Sequence, residues 1–139
     1  MNLFCETKKN RQPVDVKGQN IDSRTLTGLC IKASLEKKAQ DLAILDLSGI
    51  SIFADYFVIC SGSSTRQVKA IAEEIEMSLS KLKVEPDHIE GAAEGRWILM
   101  DYGDTVVHVF LEEIRQYYRL ERLWGDAPQL TLEQVLGSS

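Results

Sequence analysis

Tyr56-Phe57-Val58-Ile59-Cys60, followed by Ser61-Gly62-Ser63-Ser64, is the stretch on which the fold turns. The apolar run does not alternate, which describes a strand covered on both faces. The Gly-Ser turn leads into a helix over 65–82, with Val68, Ile71, Ala72, Ile75, Leu79 and Leu82 at helical spacing. Lys69, Glu73, Glu74 and Glu76 fall mostly off that stripe.

Upstream, Asp22-Ser23 is an N-cap signal for a helix over 24–38, with Leu26, Leu29, Cys30 and Ala33 on one stripe. Residues 42–47 then read as a buried strand ended by Ser48-Gly49. Downstream, Pro86 marks a loop, and residues 97–101 and 105–111 form two more apolar strands. Gly103-Asp104 between them fits a two-residue hairpin with glycine at the first turn position. That register sets Trp97 opposite Phe110 and Leu99 opposite His108. One face then carries Trp97, Leu99, Asp101, Val106, His108 and Phe110; the other carries Ile98, Met100, Val107 and Val109. A last helix is predicted from Glu112 to Leu123. The order α-β-β-α-β-β-α predicts a single α/β domain with a mixed β-sheet packed by helices.

Residues 1–21 show no hydrophobic period and are expected to be a flexible arm; 22–126 form the domain. Residues 127–139 are expected to be a tail with at most a short turn at 131–135.

The 139 residues suit one domain, and 44% apolar with 27% charged residues suits a globular one. No run of about 20 apolar residues spans a membrane, and the first twenty residues contain no secretory h-region. Glu6, Asp15 and the scarcity of serine there fit a transit peptide poorly. Net charge is -5, and the acidic excess lies after residue 20. An acidic body argues against duplex DNA, whose phosphates need cations, and leaves room for a basic protein partner. Cys5, Cys30 and Cys60 are odd in number and widely spaced, which fits free thiols in a reducing compartment.

The turn Gly62-Ser63-Ser64 aims backbone N–H groups and a helix start at one point, a candidate anion site. Nucleotidyltransferases use such a turn together with two carboxylates one residue apart on a following strand to hold Mg²⁺. That second half is missing. Glu85-Pro86-Asp87 is broken by proline, Asp101 and Asp104 flank a turn, and the adjacent Glu112-Glu113 diverge. A plain helix N-cap by Ser64 or Thr65 is the stronger reading. His88 and His108 form no metal-ligand spacing with the three cysteines, so neither metal nor cofactor is expected. A Cys60–His108 nucleophilic pair lacks a visible cation to activate the thiol. His108 reads equally as a core histidine or a contact residue. Arg115, Arg119 and Arg122 fall on one side of the last helix, where they form an ion-paired face or touch RNA phosphate. Trp97 and Trp124 are ordinarily core residues, but Trp97 shares a face with Asp101 and His108, the composition of an interface hot spot.

Three ordered blocks carry a resemblance. Asp55-Tyr56-Phe57-Val58-Ile59-Cys60-Ser61-Gly62-Ser63-Ser64 resembles one block of the ribosomal silencing factor family, also called the Iojap family. Trp97-Ile98-Leu99-Met100-Asp101-Tyr102-Gly103-Asp104, continued by Val107-His108-Val109-Phe110, is similar to its second block. Arg115 to Tyr118, Leu120-Glu121 and Leu123-Trp124 resemble its closing signature. The resemblance spans about residues 25–126. It implies a nucleotidyltransferase-like fold without catalytic carboxylates, and a non-enzymatic protein. It implies binding to the large ribosomal subunit through ribosomal protein uL14, with subunit joining blocked and translation lowered when nutrients are scarce. Organellar relatives act in ribosome biogenesis, and homodimers occur. The resemblance puts the partner contacts on Trp97, Ile98 and Asp101 first. Tyr102, His108, Arg115 and Tyr118 match the motifs in contact or structural roles. A cytoplasmic location is the expectation, since the free thiols suit a reducing compartment, with bacterial cytoplasm and organelle both open.

Overall fold

A computed structural model describes residues 14–16, 19–118 and 127–136; the side chains of 14–16, 19–20 and 117–118 lie outside the description. A six-stranded sheet runs in the order β5-β6-β7-β4-β3-β8. Its strands are β3 (Gln40–Asp46), β4 (Tyr56–Gly62), β5 (His88–Glu90), β6 (Trp97–Asp101), β7 (Thr105–Leu111) and β8 (Gln129–Leu130). The central pair β4 and β7 is parallel, and every other pairing is antiparallel. The predicted mixed sheet is present.

Helices α1 (Ser23–Glu36) and α2 (Thr65–Ser80) cover one face. Leu26, Cys30, Ile31, Ile71, Ile75 and Leu79 meet Val58, Cys60, Ile98, Met100, Val107 and Val109 there. The opposite face gathers Leu45, Leu47, Phe57, Ile59, Leu99, Val106 and Phe110, with Trp97 and Ile114 against them. Every residue of β4 is buried, as its unbroken apolar run requires. The β6–β7 register places Trp97 opposite Phe110 and Leu99 opposite His108, as expected. Gly103 sits at φ 92, which selects glycine at the first turn position. The Tyr102 N–H closes the turn on the Thr105 carbonyl at 2.9 Å.

Both helix starts obey local chemistry. Asp22 accepts from the Thr25 N–H at 2.7 Å, and this bonding holds its carboxyl below the usual range. Ser64 accepts from the Gln67 N–H at 3.1 Å and caps α2.

Five short elements carried too few residues to show a period. Strands β1 (Val14–Val16) and β2 (Gln19–Ile21), inside the stretch expected to be an arm, pair antiparallel. Strand β5 follows the loop marked by Pro86. Residues 127–136, expected to be a tail, supply β8 to the edge of β3 and a short helix, α4 (Leu132–Leu136). Val135 of α4 is 5% exposed and joins the core. Helix α3 (Glu112–Tyr118) starts directly after β7. The rest of the helix expected to reach 123, including Arg119 and Arg122, lies outside the described residues, as does Trp124.

Candidate functional site

The side chains singled out in the second motif do not converge on one point. β6 sends them to both faces of the sheet. Trp97, at the start of β6, is half-buried against the face opposite α1 and α2. Its ring stacks on Phe110 with centroids 4.9 Å apart, the cross-strand partner that the register dictates. Its indole N–H donates to His108 Nδ1 at 3.1 Å. His108 is diagonal to Trp97 across the β6–β7 ladder. It lies between Phe57, at 4.6 Å, and Phe110, at 6.2 Å.

The indole is only a donor, so His108 Nδ1 must accept and Nε2 carries the proton. That Nε2 is buried and has no hydrogen-bond partner among the described residues. Burial pushes the imidazole down to about 3 from its ordinary 6.5, so His108 is neutral at physiological pH. Of the two sequence readings of His108, burial supports the core residue, one that fixes the face of a partly exposed aromatic.

Ile98 points the other way and is 1% exposed, packed under the helices. Asp101 is 7% exposed, and its Oδ1 accepts the Gly103 N–H at 2.8 Å, bracing the β6–β7 turn. Its carbonyl takes the Asp87 N–H at 2.7 Å. Tyr102 is buried on the helical side, and its hydroxyl has no hydrogen-bond partner among the described residues. Trp97 is thus the one expected contact residue on this motif with a substantial open surface.

Arg115 does not reach outward. Its guanidinium donates to the Ser61 hydroxyl at 2.9 Å and to the Asp41 carbonyl. Asp41 sits at φ 51 beside the bulge between Gln40 and Ala43, so one cation ties α3 to the ends of β3 and β4. The Tyr118 side chain lies outside the described residues.

The Gly62-Ser63-Ser64 turn is occupied from within. The Ser63 N–H donates to Gln67 Oε1 at 2.7 Å, and the Ser63 hydroxyl does so at 3.0 Å. Gln67 Nε2 donates onward to the carbonyls of Lys37 and Lys38 at 3.2 and 3.1 Å, binding the turn to the end of α1. A Cβ on Gly62 would stand 3.0 Å from Val68 Cγ2 and 3.1 Å from Val68 N. The glycine serves close packing onto α2, and Gln67 answers the N–H that an anion would need. Sequence reasoning missed Gln67; its signal was the Ser-x-x-Gln spacing of a helix start.

Cys30 and Cys60 are free and fully buried, and burial pushes both thiols up to about 12. Neither is a thiolate nucleophile. Among the described residues no three His, Cys, Asp or Glu side chains could hold a metal ion.

The model of the family described as "Ribosomal silencing factor during starvation" matches residues 20–139. A protein of Halalkalibacterium halodurans named ribosomal silencing factor RsfS is 44% identical over 116 residues, covering 84% of this chain and 99% of that protein. The Bacillus subtilis protein of the same name is 44% identical over 113 residues, 81% of this chain and 96% of its own length. A mouse protein named mitochondrial assembly of ribosomal large subunit protein 1 is 33% identical, but only 49% of its length is matched. A crystal structure from Chromobacterium violaceum superposes with a TM-score of 0.74 at 36% identity, over 76% of this chain and 88% of that one. With the family model matching residues 20–139 and two relatives at 44% identity aligned over nearly their whole length, the chain belongs to the ribosomal silencing factor family.

Proposed function

We propose that this protein docks on the large ribosomal subunit through ribosomal protein uL14 and keeps the small subunit from joining, so that translation falls when nutrients are scarce. One observation carries the reading: the half-buried indole of Trp97 is held in a single orientation by His108 and Phe110. A pre-oriented aromatic loses little entropy on binding and is the kind of residue that dominates an interface. Occlusion requires no chemistry, which agrees with a family named for silencing. The net charge of -5 favours encounter with a basic ribosomal protein. We read the fold as nucleotidyltransferase-like without the catalytic carboxylates, and the protein as non-enzymatic and cytoplasmic, with a second copy of the chain as a further partner.

The test is calorimetry against purified uL14. Trp97→Ala lowers affinity by about 2 kcal/mol or more if the indole is the anchor. A folded variant with unchanged affinity removes Trp97 from the interface. The name of the mouse relative favours a second reading, large-subunit assembly. Charge reversal at Arg119 separates the two, because an assembly factor held by RNA phosphate loses binding while protein-only docking keeps it.

A further inference from the structure

A cavity of about 210 Å³ lies between α1 and α4, on the helical side of the sheet and away from Trp97. Arg24, Gly28 and Lys32 line it at intervals of four residues, so they share one face of α1. Gly28 is buried, and a Cβ there would meet Leu136 Cδ2 at 3.5 Å and Val135 Cγ1 at 3.8 Å. The glycine lets α4 come close, and the two cations flank it along the helix.

Arg24 is held in place but not neutralised. It is half-buried. Its Nη1 donates to the Gln134 carbonyl at 3.1 Å, and its Nε donates to the Tyr56 hydroxyl at 3.3 Å. The guanidinium carbon stands 5.9 Å from the centre of the Tyr56 ring. These bonds leave Nη2 and the second hydrogen of Nη1 to be answered, the fork that grips a carboxylate at two points. Among the described residues no carboxylate forms an ion pair with Arg24 or Lys32. The one acid in the lining, Asp22, gives its Oδ1 to the Thr25 N–H at 2.7 Å. A half-buried cation fixed by neutral acceptors, with no counter-ion, is organised in advance for an anion.

The walls select the kind of anion. Two cations against one acid make the cavity positive on a chain whose net charge is -5. Leu29, Val135 and Leu136 add an apolar wall beside the cations, which a bare inorganic ion does not use. The volume of about 210 Å³ falls below the roughly 300–1,000 Å³ of sites for drug-sized ligands, so the ligand is small.

We propose that the cavity between α1 and α4 binds a small organic acid with a short aliphatic chain. Its carboxylate takes the open fork of Arg24, Lys32 adds a second positive charge, and the chain lies against Leu29, Val135 and Leu136. Bound there, the acid ties α4 to α1. The site is separate from the Trp97 face, and the proposal does not rest on the uL14 reading.

The experiment titrates ¹⁵N-labelled full-length protein with hexanoate. Hexanol, hexylamine, acetate and inorganic phosphate serve as controls. The expected result is amide shifts confined to residues 22–32 and 132–136, saturating with hexanoate and weaker with every control. Arg24→Lys keeps the charge, loses the fork and weakens hexanoate binding about tenfold. Lys32→Glu, at an exposed helical position, keeps the fold and also weakens it. Trp97→Ala leaves it unchanged. Hexanol binding as well as hexanoate would reduce the site to an apolar patch and overturn the proposal. Acetate or phosphate binding as well as hexanoate, shifts scattered over the surface, or affinity indifferent to Lys32→Glu would overturn it too.

Discussion

Trp97 and His108 are joined by a 3.1 Å hydrogen bond that crosses from one strand to the next, linking a half-open indole to a fully buried imidazole. The bond sets the tautomer of the histidine and the rotamer of the tryptophan together. It also makes the Trp97 face sensitive to any proton that His108 takes up.

The first prediction concerns acid. His108 titrates at about 3 when folded and at its ordinary 6.5 when unfolded. Below 6.5 the unfolded chain binds a proton that the folded chain refuses, so stability is full above that pH and falls toward 3. The loss reaches about 1.4 kcal/mol per pH unit inside the window. Urea midpoints measured at successive pH values should fall along this slope. His108→Gln, which keeps an acceptor for the indole, should flatten it; a slope unchanged in that variant would show that other groups set the acid sensitivity.

Arg115 is predicted to be structural. Arg115→Ala removes the bonds to Ser61 and the Asp41 carbonyl and should cost about 1–3 kcal/mol. Binding by the folded fraction should survive. Wild-type stability with lost affinity would instead place the guanidinium in the interface.

Gly91 is predicted to be intolerant of a side chain. It sits at φ 81, and a Cβ there would lie 2.1 Å from the Trp97 carbonyl. Gly91→Ala should cost about 2 kcal/mol or more and should move the indole resonance of Trp97, since the β5–β6 connection carries both. An unshifted indole signal would mean that this connection does not position Trp97.

Much of this architecture could be read from residue order because the informative segments are long. The unbroken apolar runs of β4, β6 and β7 and the helical stripe of α2 each extend over enough residues to be distinctive. Gly103-Asp104 fixed the hairpin register, and with it the opposed directions of Trp97 and Ile98. The elements within 14–21, 88–90 and 129–136 are each two to five residues long, so no period could develop. Val135 enters the core as a single apolar residue in a polar stretch. Within the candidate site, the pairing of Trp97 with His108 follows from the diagonal of the register. The inward turn of Arg115 does not, because it depends on a carbonyl exposed by the β3 bulge, 74 residues away in sequence.

The thiols give a simple check on the packing. Cys30 and Cys60, both pushed up to about 12, should resist an aromatic disulfide reagent in the native protein. Peptide mass mapping should show them modified only after denaturant is added. Rapid native labelling at either position would mean that the helical layer opens readily.

The central claim is silencing by occlusion from the Trp97 face. The direct measurement is sedimentation of purified small and large ribosomal subunits with this protein, scoring both co-migration and joined particles. The account predicts co-migration with the large subunit alone and fewer joined particles, with both effects reduced in Trp97→Ala. Migration free of both subunits, or joining undiminished at saturating protein, would contradict it.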